Sequence, residues 1–156
     1  MQEQGAVQRA LFRRWPAGVS VVVAEVDGRR HGLTVSSLVS LSLDPPLVGI
    51  SIAQQASLHE LLRDAGEWGV SVLSGDQDHL AQHFARSVPP IALWNGIELR
   101  EDDPRLLKDA AGWLVARTVD QLTTGDHTFF VGEVLSLEEG PAPTSLTYVH
   151  RGYKAV

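Results

Sequence analysis

The dipeptide Asp27-Gly28, set between two strand-like runs, restricts the fold of this chain more than any other feature. Residues 18–26 carry five valines, and Asp-Gly is a preferred two-residue turn between antiparallel strands. We therefore expect one strand to run out along residues 18–26 and a second to return from His31 to Leu41. A fold that begins with a hairpin starts from an antiparallel pair, so the dipeptide favours an antiparallel architecture.

The remaining chain continues with strand-like runs and few helices. The prolines of Asp44-Pro45-Pro46 break the pairing before the next run. Further strands are predicted at residues 47–53, 68–73, 112–119, 128–137 and 146–149. Hairpins or short helices join them, without a regular βαβ alternation. We therefore predict a mainly β fold, an antiparallel barrel or sandwich with helices at its edges.

Three helices are predicted from apolar spacing and end signals. A short N-terminal helix ends near Trp15, because Pro16 disfavours helical geometry before it. Ser57-Leu-His-Glu60 matches a capping box ahead of an apolar stripe. That stripe is Leu58, Leu61, Leu62 and Ala65. Ser74-Gly-Asp-Gln77 matches a cap for the third helix. Its predicted buried face is Leu80, Ala81, Phe84 and Ala85.

Composition and charge limit the class of protein. The chain has 156 residues, 44% hydrophobic and 21% charged, which predicts one folded domain over residues 1–156. No apolar run approaches the roughly 20 residues that cross a bilayer, and the first residues lack the order of a secretion signal. We therefore expect a cytoplasmic protein without a membrane partner. The formal charge of −6 argues against nucleic acid, and the absence of cysteine excludes disulfides and thiolate chemistry.

Two polar segments are suited to holding a planar ring and a phosphate. Residues 32–37 (Gly-Leu-Thr-Val-Ser-Ser) place hydroxyls in an otherwise apolar strand, where they can bind a polar ring. A strand with one solvated face explains the same pattern. Residues 51–57 form a polar loop that enters a helix, and free N–H groups at a helix start attract phosphate. The alternative for Ser57 is that it only caps its own helix.

Two further segments are suited to a second nucleotide. His127 follows Gly125-Asp126 at a strand start, where an imidazole can donate a hydrogen bond or move a proton. An exposed imidazole after an Asp turn is the alternative. The tyrosine and arginine of Tyr148-Val-His-Arg-Gly-Tyr153 can stack on a base and pair with phosphate. The alternative is an ordinary C-terminal strand.

Two other chemistries are disfavoured by their motifs. Asp76, His79 and His83 share one helix face, but they lack the Glu of a His-Glu-x-x-His zinc motif and an outside ligand. We therefore predict a solvated helix face and no metal. Gly69-Val-Ser-Val-Leu73 lacks the second glycine of a nucleophile elbow, which argues against a Ser/His/Asp hydrolase.

Taken in order, these segments resemble the flavin reductase family with the FMN-binding split-barrel fold, from about Phe12 to Tyr153. The matching motifs are Phe12-Arg-Arg-Trp-Pro-Ala-Gly-Val19, Gly32-Leu-Thr-Val-Ser-Ser-Leu38, Ser40-Leu-Ser-Leu-Asp-Pro-Pro-Leu-Val48, residues 51–57, Val70-Ser-Val-Leu73, Leu80-Ala-Gln-His-Phe-Ala85, Gly125-Asp-His127 and Val131-Gly-Glu-Val134. Each motif alone is unspecific, but the ordered series is strong. The resemblance implies a homodimer of six-stranded antiparallel Greek-key barrels with flavin near the interface.

The resemblance also implies the residues of the site. Those facing the isoalloxazine ring are Thr34, Val35, Ser36 and Ser37. Those matching the loop for the ribityl chain and phosphate are Ser51, Ile52, Ala53, Gln54 and Ser57. Phe84 and Ala85 match a helix position near the flavin, and His127 matches a histidine beside flavin and nicotinamide. Arg151 and Tyr153 match a tail that approaches the nicotinamide dinucleotide.

In activity, the resemblance implies an NAD(P)H:flavin oxidoreductase that reduces FMN or FAD with NADH or NADPH. The reduced flavin then diffuses to a separate monooxygenase. Hydride transfer needs two stacked rings rather than a strong acid, base or metal. Gln54-Gln55 replaces the family's usual charged or small residues, which leaves FMN against FAD open. Two alternatives remain, a flavoprotein that keeps its flavin and reduces another substrate, and a flavin- or haem-binding module without turnover.

Overall fold

The computed structural model describes residues 2–86 and 88–156, so Met1 and Ser87 lie outside the described residues. Strands predominate, as the sequence predicts. The helices are α1 (Gln2–Phe12), α2 (Ser57–Ala65), α3 (Asp78–Ala85) and α4 (Pro90–Leu93). The strands are β1 (Ala17–Gly18), β2 (Ser20–Val26), β3 (Arg29–Val35), β4 (Val39–Leu43), β5 (Pro46–Ala53), β6 (Glu67–Val72), β7 (Gly112–Thr124), β8 (His127–Glu139), β9 (Leu146–Val149) and β10 (Gly152–Ala155).

Two antiparallel sheets organise these strands. Seven strands form the main sheet in the order β3-β2-β6-β7-β8-β5-β4, and a small sheet has the order β1-β9-β10. The two edge strands of the main sheet, β3 and β4, are joined by residues 36–38, and within the described part of the chain no pairing closes the sheet between them. A sheet that curves without closing along this seam has the architecture of a split barrel.

The expected fold class is confirmed, while the strand count differs. The resemblance implied six strands, and the main sheet has seven. One reason is that the single strand expected from His31 to Leu41 divides into β3 and β4, because the backbone leaves the ladder at residues 36–38. The predicted hairpin is present, with Val26 paired to Arg29 around Asp27 and Gly28, both at positive φ.

Other sequence predictions missed where elements end. Strands β7 and β8 extend beyond the predicted 112–119 and 128–137, because they pair with each other to Thr124 and His127 although their outer residues are exposed. The short elements β1, β10 and α4 were not predicted. Ala85, expected on the buried face of α3, is exposed at the last position of that helix.

Among the described residues, the buried apolar side chains form two clusters on opposite sides of β2. Val22 belongs to the cluster around Trp68 and Phe130, under helix α2. Val21 and Val23 belong to the cluster around Phe84, under helix α3. Because successive strand residues point to opposite faces, a strand buried on both faces needs an unbroken apolar run, which explains the valines of β2. In residues 2–86 and 88–156, no helix has the length and apolar character needed to span a lipid bilayer.

Candidate functional site

The segment predicted to face a planar ring lies at the open seam of the barrel. The Thr34 hydroxyl donates to the Ala81 carbonyl at 2.6 Å, which ties β3 to α3. Val35 is buried, and Ser36 is exposed just beyond the end of β3. The Ser37 hydroxyl donates to the Ser51 carbonyl and accepts from the Ser51 N–H, both at 3.0 Å. The structure therefore brings the predicted ring segment and the start of the predicted phosphate segment into direct contact.

The loop between β5 and α2 presents an open helix start, and the predicted capping box is wrong. Ala56 is the N-cap, with extended backbone and no side-chain cap bond. The Ala56 N–H donates to the Ala53 carbonyl at 3.0 Å and closes a turn. Because of this turn, the helix begins one residue earlier than predicted. Ser57 therefore occupies the first helical position, from which its hydroxyl does not cap the helix. It is exposed, so hydroxyl and helix start both remain available to an anion.

The predicted cap of α3 is also different from the expected one. Its N-cap is Gln77, without a side-chain cap bond, and the helix begins at Asp78. The Gln77 side chain instead reaches back and accepts from the Ser74 N–H at 3.0 Å, while the Ser74 hydroxyl donates to Asp76 at 2.5 Å. The four residues thus close a polar turn ahead of the helix rather than capping it.

The Gly125-Asp126 pair forms the two-residue turn of the β7–β8 hairpin, and His127 is the first residue of β8. The His127 side chain is 43% exposed. Its Nδ1 lies 2.7 Å from the Asp126 carboxylate, and this hydrogen bond holds the pKa of Asp126 below its usual value. Because a carboxylate only accepts, Nδ1 carries the proton, which leaves Nε2 as the free nitrogen of the exposed ring.

Gln54 joins the phosphate loop to the histidine turn. Ala53 is paired with His127 in the β5–β8 ladder. One residue further on, the Gln54 N–H donates to the Asp126 carbonyl at 2.9 Å. The Gln54 side-chain amide donates to the carbonyls of Gly125 at 3.3 Å and His127 at 3.2 Å. The resemblance implied that Gln54 belongs to the loop for the ribityl chain and phosphate, and in the structure its amide also holds the histidine turn.

A buried histidine makes a second connection, which the sequence analysis missed. His59 is 5% exposed, and its Nε2 lies 2.7 Å from the Thr128 hydroxyl while Nδ1 lies 3.2 Å from Glu60. Its ring packs edge-on against Phe130 at 5.6 Å between centroids. The available signal was its position on α2, three residues before Leu62 of the apolar stripe, which places it on the inner face.

Of the remaining predicted residues, Phe84 packs against Gly32 of the predicted ring segment, where an added Cβ would meet its ring at 3.0 Å, whereas Arg151 and Tyr153 lie in the C-terminal tail. Phe84 is buried against Trp94, 5.3 Å between ring centroids, and Ala85 follows it at the surface. Tyr153 packs against Tyr148 at 5.0 Å, and its burial raises the pKa of its hydroxyl. Arg151 lies in the β9–β10 turn and lines a groove against α1. Within one chain, the tail and the Ser57 loop therefore line different surfaces.

Two cavities flank the start of α2. The larger, about 650 Å³, is lined by the end of the β2–β3 hairpin, by α4 and by α2 from Ser57 to Leu61. The smaller, about 430 Å³, is lined by Gln54, His59 and Thr128 together with residues of α2 and β7. Asp76, His79 and His83 do not form a metal cluster, and no group of three such ligands occurs among the described residues. His83 Nε2 instead lies 2.6 Å from the Leu93 carbonyl.

Comparison with known proteins identifies the family to which the chain belongs. The family model described as "Flavin reductase like domain" matches residues 12–156. The reductase component of 4-hydroxyphenylacetate 3-monooxygenase from Thermus thermophilus is 35% identical over 147 residues, covering 94% of this chain and 93% of its own. The NADH:riboflavin 5'-phosphate oxidoreductase of Streptomyces pristinaespiralis is 37% identical over 142 residues, covering 85% of this chain and 77% of its own.

Solved structures of flavin reductases have the same fold. The NADH:FAD oxidoreductase of Streptomyces globisporus C-1027 superimposes with a TM-score of 0.90 at 30% identity, covering 97% of this chain and 93% of its own. The flavin reductase component of a bacterial two-component tryptophan halogenase superimposes with a TM-score of 0.87 at 29% identity, covering 97% of this chain and 98% of its own. The fold and the named relatives thus define a flavin-reducing split-barrel enzyme. The chain belongs to the flavin reductase-like family, and the predicted class, an NAD(P)H-dependent oxidoreductase acting with FMN or FAD, is confirmed.

Proposed function

We propose that this chain uses NADH or NADPH to reduce FMN or FAD at the site between the barrel seam, the Ser57 loop and the Gly-Asp-His turn. The reduced flavin then leaves for a separate monooxygenase. The main support for this site is the pair of hydrogen bonds from the Gln54 amide to the Gly125 and His127 carbonyls. They connect the loop before the open start of α2 to the turn that bears the half-exposed His127. Relatives named as reductase components of monooxygenases support the release of reduced flavin.

The described residues fit a flavin. The Ser57 hydroxyl and the uncapped N–H groups of α2 form an anion site of the kind a phosphate needs. The buried Val35 ends the strand on which the ring is proposed to lie, and the exposed Ser36 follows it. When bound, the two cofactors supply the hydride chemistry through nicotinamide C4 and flavin N5.

The protein's own part is positioning rather than acid or base catalysis. The Thr34 and Ser37 bonds fix the seam, so the wall against the ring is rigid. Asp126 orients the His127 imidazole through Nδ1 and leaves Nε2 directed away from that bond. A donor or acceptor fixed in this way can align the second ring, and alignment of two reactants is a large source of rate enhancement.

NADH oxidation by the flavin-stripped protein tests the function. With added FMN or FAD we expect turnover that saturates with free flavin. A protein that purifies yellow and ignores added flavin would instead be the tight flavoprotein. Flavin binding without NADH oxidation, with either nicotinamide nucleotide, would leave only the binding module.

We also propose that the chain is a homodimer. Apolar side chains between 41% and 88% exposed occur on β4, β7 and β8, at one end of the main sheet. They are Val39, Leu41, Leu43, Val119, Leu122, Leu135 and Leu137. Strands β7 and β8 are neighbours in the main sheet, and β5 separates β8 from β4. Exposed apolar surface of this kind is typical of a protein interface. A second copy is the proposed occupant, because the resemblance implies a dimer.

Sedimentation velocity tests the dimer. Leu43→Glu with Leu137→Glu is expected to convert a dimer to monomers, because two charges would be buried without partners. Ile91→Glu replaces an apolar residue that is 90% exposed but lies outside the strand surface, so it should leave the sedimentation coefficient unchanged. A monomeric wild-type protein would disprove the proposal.

A further inference from the structure

The groove of about 650 Å³ extends the site beyond the predicted phosphate position. Of the residues assigned to flavin, only Ser57 lines it, and none of residues 34–37 does. A flavin whose ring lies at the seam and whose phosphate reaches Ser57 therefore leaves this groove free. Its size falls within the range of about 300–1,000 Å³ that is usual for small-molecule sites.

Arg30 lies in this groove as a fixed guanidinium with unused hydrogen-bond donors. Its Cζ is 4.4 Å from the centroid of the Trp94 ring, and the Trp94 indole N–H donates to the Arg30 carbonyl at 3.0 Å. Arg30 Nε is buried and has no hydrogen-bond partner among the described residues. The carboxylate paired with its head group, Glu25, is 3.8 Å away, too far for a hydrogen bond.

His31 adds an acceptor to the same groove. Its Nδ1 lies 3.0 Å from the Gly32 carbonyl, and since a carbonyl only accepts, Nδ1 carries the proton. Burial lowers the pKa of His31, so the ring is neutral near pH 7. Its Nε2 therefore keeps a lone pair that can accept from an exocyclic amine such as that of adenine.

The other lining residues favour a ligand with one planar ring and limited charge. Leu61, Pro90 and Ile91 give the walls apolar surface. The charged side chains are two arginines, Arg29 and Arg30, and two glutamates, Glu25 and Glu60. Because these charges balance, the groove suits a nucleoside monophosphate group better than a highly anionic ligand.

We propose that this groove binds the AMP half of FAD and that Arg30, held on Trp94, makes the enzyme prefer FAD to FMN. The proposal rests on the proposed function. An adenine ring stacks on the open side of the guanidinium, and the donors of Arg30 satisfy an oxygen of the pyrophosphate or ribose. FMN has the same ring and first phosphate but lacks the group that fills the groove.

Equilibrium titration of flavin fluorescence on the stripped protein, without NADH, tests this proposal. Wild type is expected to bind FAD about tenfold more tightly than FMN, the ratio that one charge-assisted hydrogen bond supplies. Arg30→Met keeps an apolar stem over Trp94 and should raise the Kd for FAD about tenfold while changing that for FMN less than about twofold. Arg9→Met removes the same charge from α1, where no residue is buried, and should change neither Kd.

Two further measurements keep the proposal testable if Arg30→Met fails to fold. Ile91→Asp places a carboxylate on a side chain that is 90% exposed at the groove wall, and it should weaken FAD and spare FMN. Added 5'-AMP should raise the apparent Kd for FAD and leave that for FMN unchanged. Equal affinities of the wild type for the two flavins would overturn the proposal. So would a loss of FMN affinity as large as the loss of FAD affinity in Arg30→Met and in Ile91→Asp.

The outcomes also separate this inference from the proposed function. Wild type that oxidises NADH with both flavins but binds them equally retains the function and loses the groove assignment. If Arg30→Met raises only the KM for NADH, the groove takes the adenine half of the nicotinamide dinucleotide, and the FAD proposal is wrong. If the wild type binds FAD more tightly than FMN but does not oxidise NADH with either flavin, the proposed function is wrong and the groove assignment stands.

Discussion

Thr34 and Ser37 at the barrel seam bond their hydroxyls to main-chain groups of α3 and β5. Ser57 and His127, across the site, differ from them. The Ser57 hydroxyl and His127 Nε2 have no hydrogen bond to any described residue. Both side chains are at the surface of the loop cluster, which consists of the β5–α2 loop and the β7–β8 turn joined by Gln54. The first region uses its polar groups to hold the protein together, and the second leaves them for a ligand.

This difference separates residues that the family resemblance assigns alike to the flavin and nicotinamide site. The hydroxyls of Thr34 and Ser37 are predicted to contribute to flavin binding by keeping the seam rigid. Those of the second region are predicted to contact the ligand themselves. Substitution at the seam should therefore change the free energy of unfolding, whereas substitution at Ser57 or His127 should change kinetics or affinity with little effect on folding.

The largest expected effect is at His127. His127→Ala should slow hydride transfer about 10- to 100-fold, the loss that follows when a group aligning two reactants is removed. The Kd for flavin should change less than about threefold, because the half-exposed ring is proposed to face the nicotinamide side. Stopped-flow reduction of bound flavin by NADH and fluorescence titration measure the two quantities. Equal losses in both would remove His127 from its proposed role.

His79→Ala provides the control for this comparison. His79 is an exposed histidine on α3, outside the loop cluster. The same truncation there should leave the transient rate of flavin reduction unchanged.

At the seam, Thr34→Val should act on stability. The change keeps the side-chain shape but leaves the Ala81 carbonyl without its donor, which costs about 1–3 kcal/mol of unfolding free energy. Urea denaturation of the stripped protein measures it. Thr144→Val is the matched control, because Thr144 is exposed and its hydroxyl makes no hydrogen bond among the described residues. A stable Thr34→Val protein with weakened flavin binding would assign Thr34 to the ligand instead.

How far the sequence could predict this arrangement depends on the range of each interaction. The β2–β3 hairpin follows from Asp27-Gly28 because a turn of two residues is a local property. The start of α2 was predicted to within one residue, but its cap was not, because the backbone turn from Ala53 determines which residue occupies the cap. The pairing of His59 with Thr128 spans 69 residues, and no local pattern specifies a contact of that separation.

A smaller effect is expected at Gln54, which joins the β5–α2 loop to the β7–β8 turn. Gln54→Met removes both side-chain donors to the histidine turn without adding charge, and Gln54→Glu replaces them with an acceptor facing two carbonyls. Both should slow hydride transfer about three- to tenfold, consistent with the loss of one or two exposed hydrogen bonds. Affinity for riboflavin should stay constant, since the ring site is untouched.

Gln8→Glu, an exposed glutamine on α1, controls for the added charge. If Gln54→Glu weakens FMN while Gln54→Met changes nothing, the added carboxylate repels a phosphate that lies near position 54. The amide of Gln54 then neither contributes to flavin binding nor positions His127.

The smallest effect is expected at Ser57, where the comparison is sharpest. Ser57→Ala removes one hydroxyl from a helix start whose N–H groups and dipole remain, so the Kd for FMN should rise about three- to fivefold, less than one typical hydrogen bond to a charged group. Riboflavin has no phosphate, so its Kd should not change, and thermal unfolding should be unaffected because Ala56 rather than Ser57 is the N-cap. Parallel titrations with FMN and riboflavin show whether the Ser57 hydroxyl contacts the phosphate. If riboflavin weakens as much as FMN, the hydroxyl does not contact the phosphate. If stability falls instead, Ser57 belongs with the seam residues.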